Sequence, residues 1–148
     1  MAVDRLTRKL FLTMKLARER LDQRLAVHGG SLQQWVLMRI LAEEPQPSHR
    51  ELAERMFVSG ATVTHHLDRL EAGGLVTRIR STGDRRVVHV NLTPVGAERL
   101  AQLESVADAT DSEVRALLTV TEAETLHRLL TKLHDRLAEA PQGETLAS

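Results

Sequence analysis

The chain contains no cysteine. Disulfides, thiolate metal ligands, cysteine nucleophiles and thiol redox sensing are therefore all excluded. Aromatic residues are almost as scarce: Trp35, Phe11 and Phe57 are the whole set, and tyrosine is absent. A protein that stacks single-stranded bases on aromatic platforms is not expected from such a composition. No apolar run approaches the ~20 residues of a membrane span. The start, Met1-Ala2-Val3-Asp4-Arg5, leads into a charged amphipathic stretch rather than the apolar block of a signal peptide. A cytoplasmic location with no membrane partner is the expectation. No Gly-x-Ser-x-Gly turn, Gly-x-Gly-x-x-Gly fingerprint or phosphate-binding loop occurs. His28-Gly29-Gly30-Ser31 faintly resembles an oxyanion-hole loop but reads better as a helix C-cap, so neither catalysis nor a cofactor is expected.

What is present is ordinary in amount and uneven in placement. The 148 residues suit one compact domain, or two small lobes sharing a core. Apolar residues make up 42% and charged residues 27%, as in globular proteins generally. Lys plus Arg and Asp plus Glu number 20 each, so the formal net charge is zero. That balance is local nowhere. Residues 1–47 carry eight basic and five acidic side chains, residues 48–90 seven and five, and residues 91–148 five and ten. Four of the seven histidines fall in the middle segment, and residues 76–90 set Arg78, Arg80, Arg85 and Arg86 against Asp84 alone. A basic stripe beside an acidic C-terminal third suits a protein that meets a polyanion with one face.

Apolar steps of three and four at Val3, Leu6, Leu10, Met14, Ala17, Leu21 and Leu25 predict a helix over 3–27, closed by Gly29-Gly30. Ser31-Leu32-Gln33-Gln34 resembles a capping box opening a second helix, which Pro45 and Pro47 stop. Ser48-His49-Arg50-Glu51 is another capping box, before a short helix with Leu52, Ala53 and Met56. Ser59 caps a fourth helix that runs to about Glu71 and closes at Gly73-Gly74. The period then changes. Two β-branched runs, 75–80 and 87–92, flank the turn Ser81-Thr82-Gly83-Asp84 and predict a β-hairpin. Thr93-Pro94 opens a helix over 94–118, with Leu100, Leu103, Ala107, Thr110, Val114 and Leu117 as its stripe. Thr121-Glu122-Ala123-Glu124 reads as a third capping box, before a last helix lined by Leu126, Leu129, Leu130, Leu133 and Leu137. The order α-α-α-α-β-β-α-α describes a mainly α winged helix-turn-helix with long flanking helices. Residues 31–93 form the DNA-binding lobe in this reading, 1–30 and 94–140 a helical dimerisation region, and 141–148 a flexible tail.

The helix from Ser59 carries the functional argument. At 100° per residue with Leu67 at 0°, Val63 falls near −40° and Leu70 near −60°, which makes the buried stripe. His65, Arg69, Thr62 and His66 spread over roughly 160° to 260° on the other side. That side can donate hydrogen bonds throughout and bears no acid; Asp68 and Glu71 project from the flanks. Such a helix fits a B-DNA major groove, whose base edges offer acceptors to Arg and the thymine methyl to Thr. Ser59, Thr62, Thr64, His65, His66 and Arg69 are the candidate groove residues. In the hairpin, Arg80, Arg85 and Arg86 are candidates for a narrow minor groove, with Asp84 orienting a guanidinium.

These segments resemble the MarR family of bacterial transcription regulators. The likeness is carried by Ser48 to Met56, by Ser59 to Glu71 with Val63-Thr64 and Leu67-Asp68-Arg69-Leu70-Glu71, by Gly74-Leu75-Val76, by Asp84-Arg85-Arg86 and by Leu92-Thr93-Pro94-Val95-Gly96. It covers roughly residues 5–138. It implies a triangular homodimer built by the first and last two helices, which binds a pseudo-palindromic operator, usually as a repressor relieved by a small ligand. It also implies an effector between the dimer helices and the DNA-binding lobe, where Met14, Trp35 and Met38 are candidate lining residues. Many relatives carry Arg after the Val-Thr pair, whereas this chain has His65-His66, from which pH-sensitive DNA affinity is expected. Pairing also makes physical sense, because two-fold packing buries the stripes of the outer helices and spaces the recognition helices by roughly 34 Å. Two alternatives compete with this reading. One is a zinc-responsive regulator using His127 and His134, seven residues apart on one helical face, with Glu124 or Asp135. The other is a helical module that dimerises without touching DNA.

Overall fold

The computed structural model describes residues 5–44, 46–84 and 86–139. The expected order of elements is borne out: α1 (Leu6–Val27), α2 (Leu32–Glu43), α3 (His49–Met56), α4 (Gly60–Ala72), β1 (Val76–Arg80), β2 (Val88–Leu92), α5 (Pro94–Arg115) and α6 (Val120–Glu139). Val3, Pro45, Arg85 and the tail 141–148 lie outside the described residues. Two compact units divide the chain, one through Thr110 and one from Asp111.

Local signals set the boundaries in the first unit. Gly29, at φ 71°, turns the chain out of α1 while Gly30 N–H donates to Leu25 O and Gly29 N–H to Ala26 O, a Schellman closure. Gly74 does the same for α4, with Leu75 N–H donating to Leu70 O. Ser31 Oγ accepts from Gln34 N–H, and the neighbouring free donor, Leu32 N–H, goes to Asp22 Oδ1 at 2.7 Å. Ser48 and Glu51 form a full reciprocal capping box, in which the carboxylate takes Ser48 N–H at 2.6 Å. Ser59 caps α4 through Thr62 N–H. Thr93 Oγ1 donates to Gly74 O and accepts from Gly96 N–H, so one hydroxyl ties the end of α4 to the start of α5.

The core gathers the inward stripes of these elements. Leu25, Leu37, Met38, Leu52, Val63, Val76 and Leu103 are fully enclosed. Burying each such side chain stabilises the fold by about 1.5–3 kcal/mol. β1 and β2 pair antiparallel from Val76↔Leu92 to Arg80↔Val88, and only the inner ends of the hairpin, Val76 and Val90, enter the core. Its outer half therefore stands clear as a wing. The N-terminal stripe behaves differently: Leu25 is buried, but Leu6 and Met14 are 68% and 57% exposed.

The second unit holds the end of α5 and all of α6. Here the capping box lies two residues before its expected place: Glu122 Oε2 accepts from Thr119 N–H at 2.8 Å, and Glu122 N–H donates to Thr119 Oγ1. Both Thr119 and Thr121 have a glutamate three residues on. α5 stops at Arg115, and its last turn closes through Leu117 N–H to Val114 O and Leu118 N–H to Arg115 O. Thr119 is then the first free cap, and starting there adds Val120 and Thr121 to the helix. No residue of α6 is buried, and Leu126, Leu129, Leu130 and Leu137 present an exposed apolar stripe.

Candidate nucleic-acid interface

The inward face of α4 is the one that periodicity predicts, with Val63, Leu67 and Leu70 at 0%, 2% and 4% exposure. The rest of the helix surface divides into three sectors. Thr64, Asp68 and Glu71 share one flank, and each is engaged inside the protein. Thr64 Oγ1 donates to Gly60 O and lies 3.0 Å from His49 Nε2 on α3. Arg78 of β1 donates to both Glu71 and Asp68. Its guanidinium is held protonated even more firmly than usual, chiefly by the Glu71 hydrogen bond and then by Asp68. The two acids beside the donor-rich face are thus drawn toward the hairpin and share the Arg78 guanidinium there.

The opposite flank borders a cavity of about 280 Å³ lined by His66, Arg69, Ser31, Gln34, Leu70 and the Gly29-Gly30 backbone, among others. His66 is half-buried, and its imidazole is pushed below the ordinary range by that burial first, then by His65 and Arg69. The two imidazoles meet edge to face with centroids 5.7 Å apart. Between the flanks, His65 and Arg69 are exposed and Thr62 is partly so, its Oγ1 2.9 Å from Ser59 Oγ. The outward sector is therefore Ser59, Thr62, His65 and Arg69. Of the other groove candidates, Thr64 turns toward α3 and His66 toward the cavity.

At the wing, Arg80 and Arg86 are exposed, while Arg85 lies outside the described residues. The Asp84 carboxylate accepts the backbone N–H of Arg86 at 2.9 Å, and its carbonyl takes Val87 N–H, so Asp84 shapes the turn. The short reach of an Asp side chain favours a backbone donor two residues on.

The three expected effector-lining residues do not share one environment. Met38 is fully enclosed in the core and Met14 is exposed. Trp35 packs against the core with the Arg39 guanidinium 5.6 Å from its ring centroid. Its Nε1 is enclosed without a hydrogen-bond partner among the described residues. As for zinc, no group of three or more His, Asp and Glu side chains converges among the described residues, so His127 and His134 gain no ligand set from Glu124 or Asp135. No helix of the described residues is long and apolar enough to cross a membrane.

Sequence reasoning missed two residues of the site. In the sequence His49 reads only as part of a capping segment, and Arg78 only as part of a basic stripe. A signal for Arg78 does exist, since two acids flanking a donor-rich helix face call for a cation close by. The partner of Thr64 had no such signal.

Comparison with known proteins agrees with this geometry. The model of the MarR family matches residues 31–88. The homoprotocatechuate degradative operon repressor of Escherichia coli is 30% identical over 103 residues, covering 70% of each chain. Among solved structures, a mutant of MarR from Escherichia coli superposes with a TM-score of 0.81 at 25% identity, over 90% of this chain and 98% of that one. The MarR family protein Rv2887 of Mycobacterium tuberculosis, in complex with salicylic acid, gives 0.76 at 30% identity, over 90% and 99%. The fold is shared too by the transcriptional repressor CouR bound to a 23-mer DNA duplex, with a TM-score of 0.79 at 23% identity over 88% and 93%. With its winged helix-turn-helix, its capped donor-rich helix and a repressor as relative, the chain belongs to the MarR family of transcription regulators.

Proposed function

We propose that this regulator binds double-stranded DNA as a homodimer and represses transcription from a pseudo-palindromic operator. In this reading residues 31–93 form the DNA-binding lobe, and 1–30 with 94–140 form the pairing region. One observation carries the proposal: α4 buries Val63, Leu67 and Leu70 while its outward sector offers Thr62, His65 and Arg69, with both nearby acids hydrogen-bonded to Arg78 on the flank. A helix so arranged suits the acceptors of a major groove, and the exposed Arg80 and Arg86 of the wing suit the adjacent minor groove. The exposed apolar residues of α1 and α6 support pairing, since water contact along such stripes is costly and a two-fold partner removes it. Footprinting on DNA flanking the protein's own gene tests the reading. Two protected half-sites about one helical turn apart are expected. Absence of protection at low salt, where phosphate contacts are strongest, overturns it.

A second element of the proposal concerns ligand control. The cavity beside α4 joins Arg69 and His66 to the polar groups Ser31 and Gln34, a setting that suits a small carboxylate. An anion there would draw Arg69 away from the groove. The salicylic acid complex of Rv2887 supports this class of effector. Salicylate is the natural first probe: it should weaken DNA binding by the wild-type chain and leave Arg69→Lys less responsive. An equal response in both would remove the cavity from consideration.

A further inference from the structure

Thr64 has one hydroxyl hydrogen and two neighbours within hydrogen-bond reach of its oxygen. Oγ1 lies 3.1 Å from Gly60 O, which can only accept. Both contacts are hydrogen bonds at once only when the hydroxyl donates to Gly60 O and its second neighbour, His49 Nε2 at 3.0 Å, is a donor. That requires the His49 imidazole to carry its hydrogen on Nε2. The same ring is laid over the first residue of α4: a β-carbon on Gly60 would stand 3.3 Å from His49 Cε1 and 3.6 Å from Nδ1. His49 is itself the first residue of α3. One imidazole thus joins the first turns of both helices, by a hydrogen bond to Thr64 and by packing on Gly60.

We propose that His49 is a positioning residue for the recognition helix, acting through Thr64 and Gly60 rather than by touching DNA. The proposal rests on the DNA-binding reading above. The first turn of α4 bears Ser59, Thr62 and, one turn on, His65. Its placement against α3 decides where those donors meet base edges. Backbone capping by Ser59 starts the helix but does not set its rotation relative to α3. The Thr64 hydroxyl, on the flank facing α3, is fixed by His49 and does set it. Glycine at position 60 is part of the device, because any larger residue would press on the ring.

The test uses full-length chain and a duplex selected by the wild-type protein from a random-sequence pool. His49→Ala and Thr64→Val should each lose about tenfold in affinity for that duplex. The double variant should be no worse than either single one, because both remove the same bond. Binding to a scrambled duplex should hardly change, and His49→Gln, which restores an N–H donor, should recover most of the loss. Wild-type affinity in the single variants, losses that multiply in the double variant, or a His49→Gln no better than His49→Ala would each overturn the role. Nitrogen-15 shifts of the imidazole in the free wild-type protein provide a readout independent of folding in the variants. A proton on Nε2 is expected, and the opposite tautomer overturns the proposal. Failure of the wild-type chain to select any duplex is a different result, which removes the DNA reading and this role with it.

Discussion

Gly96 sits against the carbonyl of Leu75 so closely that a β-carbon at position 96 would stand 1.9 Å from the oxygen. The Leu75 carbonyl also accepts Thr93 N–H at 3.0 Å, so it cannot swing aside without breaking the entry to α5. Alanine is the better helix former, by about 1 kcal/mol in an exposed helix. Here the clash is with backbone and decides the sign. Gly96→Ala should destabilise the fold by at least about 2 kcal/mol in chemical denaturation, and a stabilised variant would show that the two segments separate easily.

Arg78 bridges β1 to α4 through Asp68 and Glu71, and its side chain is only 27% exposed. Both acids are more open to solvent, so screening reduces the pair energies and Arg78→Ala should cost about 1 kcal/mol in stability. The larger effect should be on DNA. Two uncompensated carboxylates beside the groove-facing sector should lower affinity on any sequence. Unchanged binding would mean that those acids already lie away from the phosphates.

Arg69 and Arg86 should separate the two kinds of contact. Arg69→Ala should cost about 1–3 kcal/mol on the selected duplex and much less on random DNA, as the loss of a base contact does. Arg86→Ala should weaken both and make binding less sensitive to salt if its contact is to the backbone. Equal losses on both duplexes for Arg69→Ala would move it to a phosphate role.

The His66 imidazole titrates below its ordinary value of 6.5 because it is half-buried and faces His65 and Arg69. The unfolded chain therefore takes up this proton before the folded one does. The contribution to stability is complete above about pH 6.5 and declines as pH falls through the folded value. Denaturation followed between about pH 7 and pH 5 should show falling stability, and His66→Gln should flatten that slope. An equal slope in both proteins would assign the acid sensitivity to other groups.

Leu130 lies in the exposed apolar stripe of α6 at 43% exposure. If that stripe is the pairing surface, Leu130→Glu places a charge in it and should turn a dimer into a monomer with unchanged helix content. Sedimentation and circular dichroism measure the two independently. A persistent dimer would put the pairing surface elsewhere.

Much of this architecture is readable residue by residue. Ser48 with Glu51, Ser59 with Thr62 N–H, and Gly29 and Gly74 at positive φ are relations within a few residues, and each element boundary they predict is present. The inward face of α4 is equally local, because Val63, Leu67 and Leu70 follow from helical period alone. Where two local solutions compete, that legibility ends. Thr119 and Thr121 both fit a capping box, and the end of α5 at Arg115 selects the earlier one.

By itself the order of residues determined the order of the eight elements, the inward stripe of α4, and an outward sector on that helix that bears no acid. Tertiary structure alone decided which side chains on that helix remain available. Thr64 meets His49 across 15 residues, Arg78 meets Asp68 across 10, and His66 borders a cavity shared with the Gly29-Gly30 loop. The physical reason is range: capping and periodicity act within one or two turns of a chain, whereas a hydroxyl, a carboxylate or an imidazole takes whichever distant partner packing brings within hydrogen-bond reach.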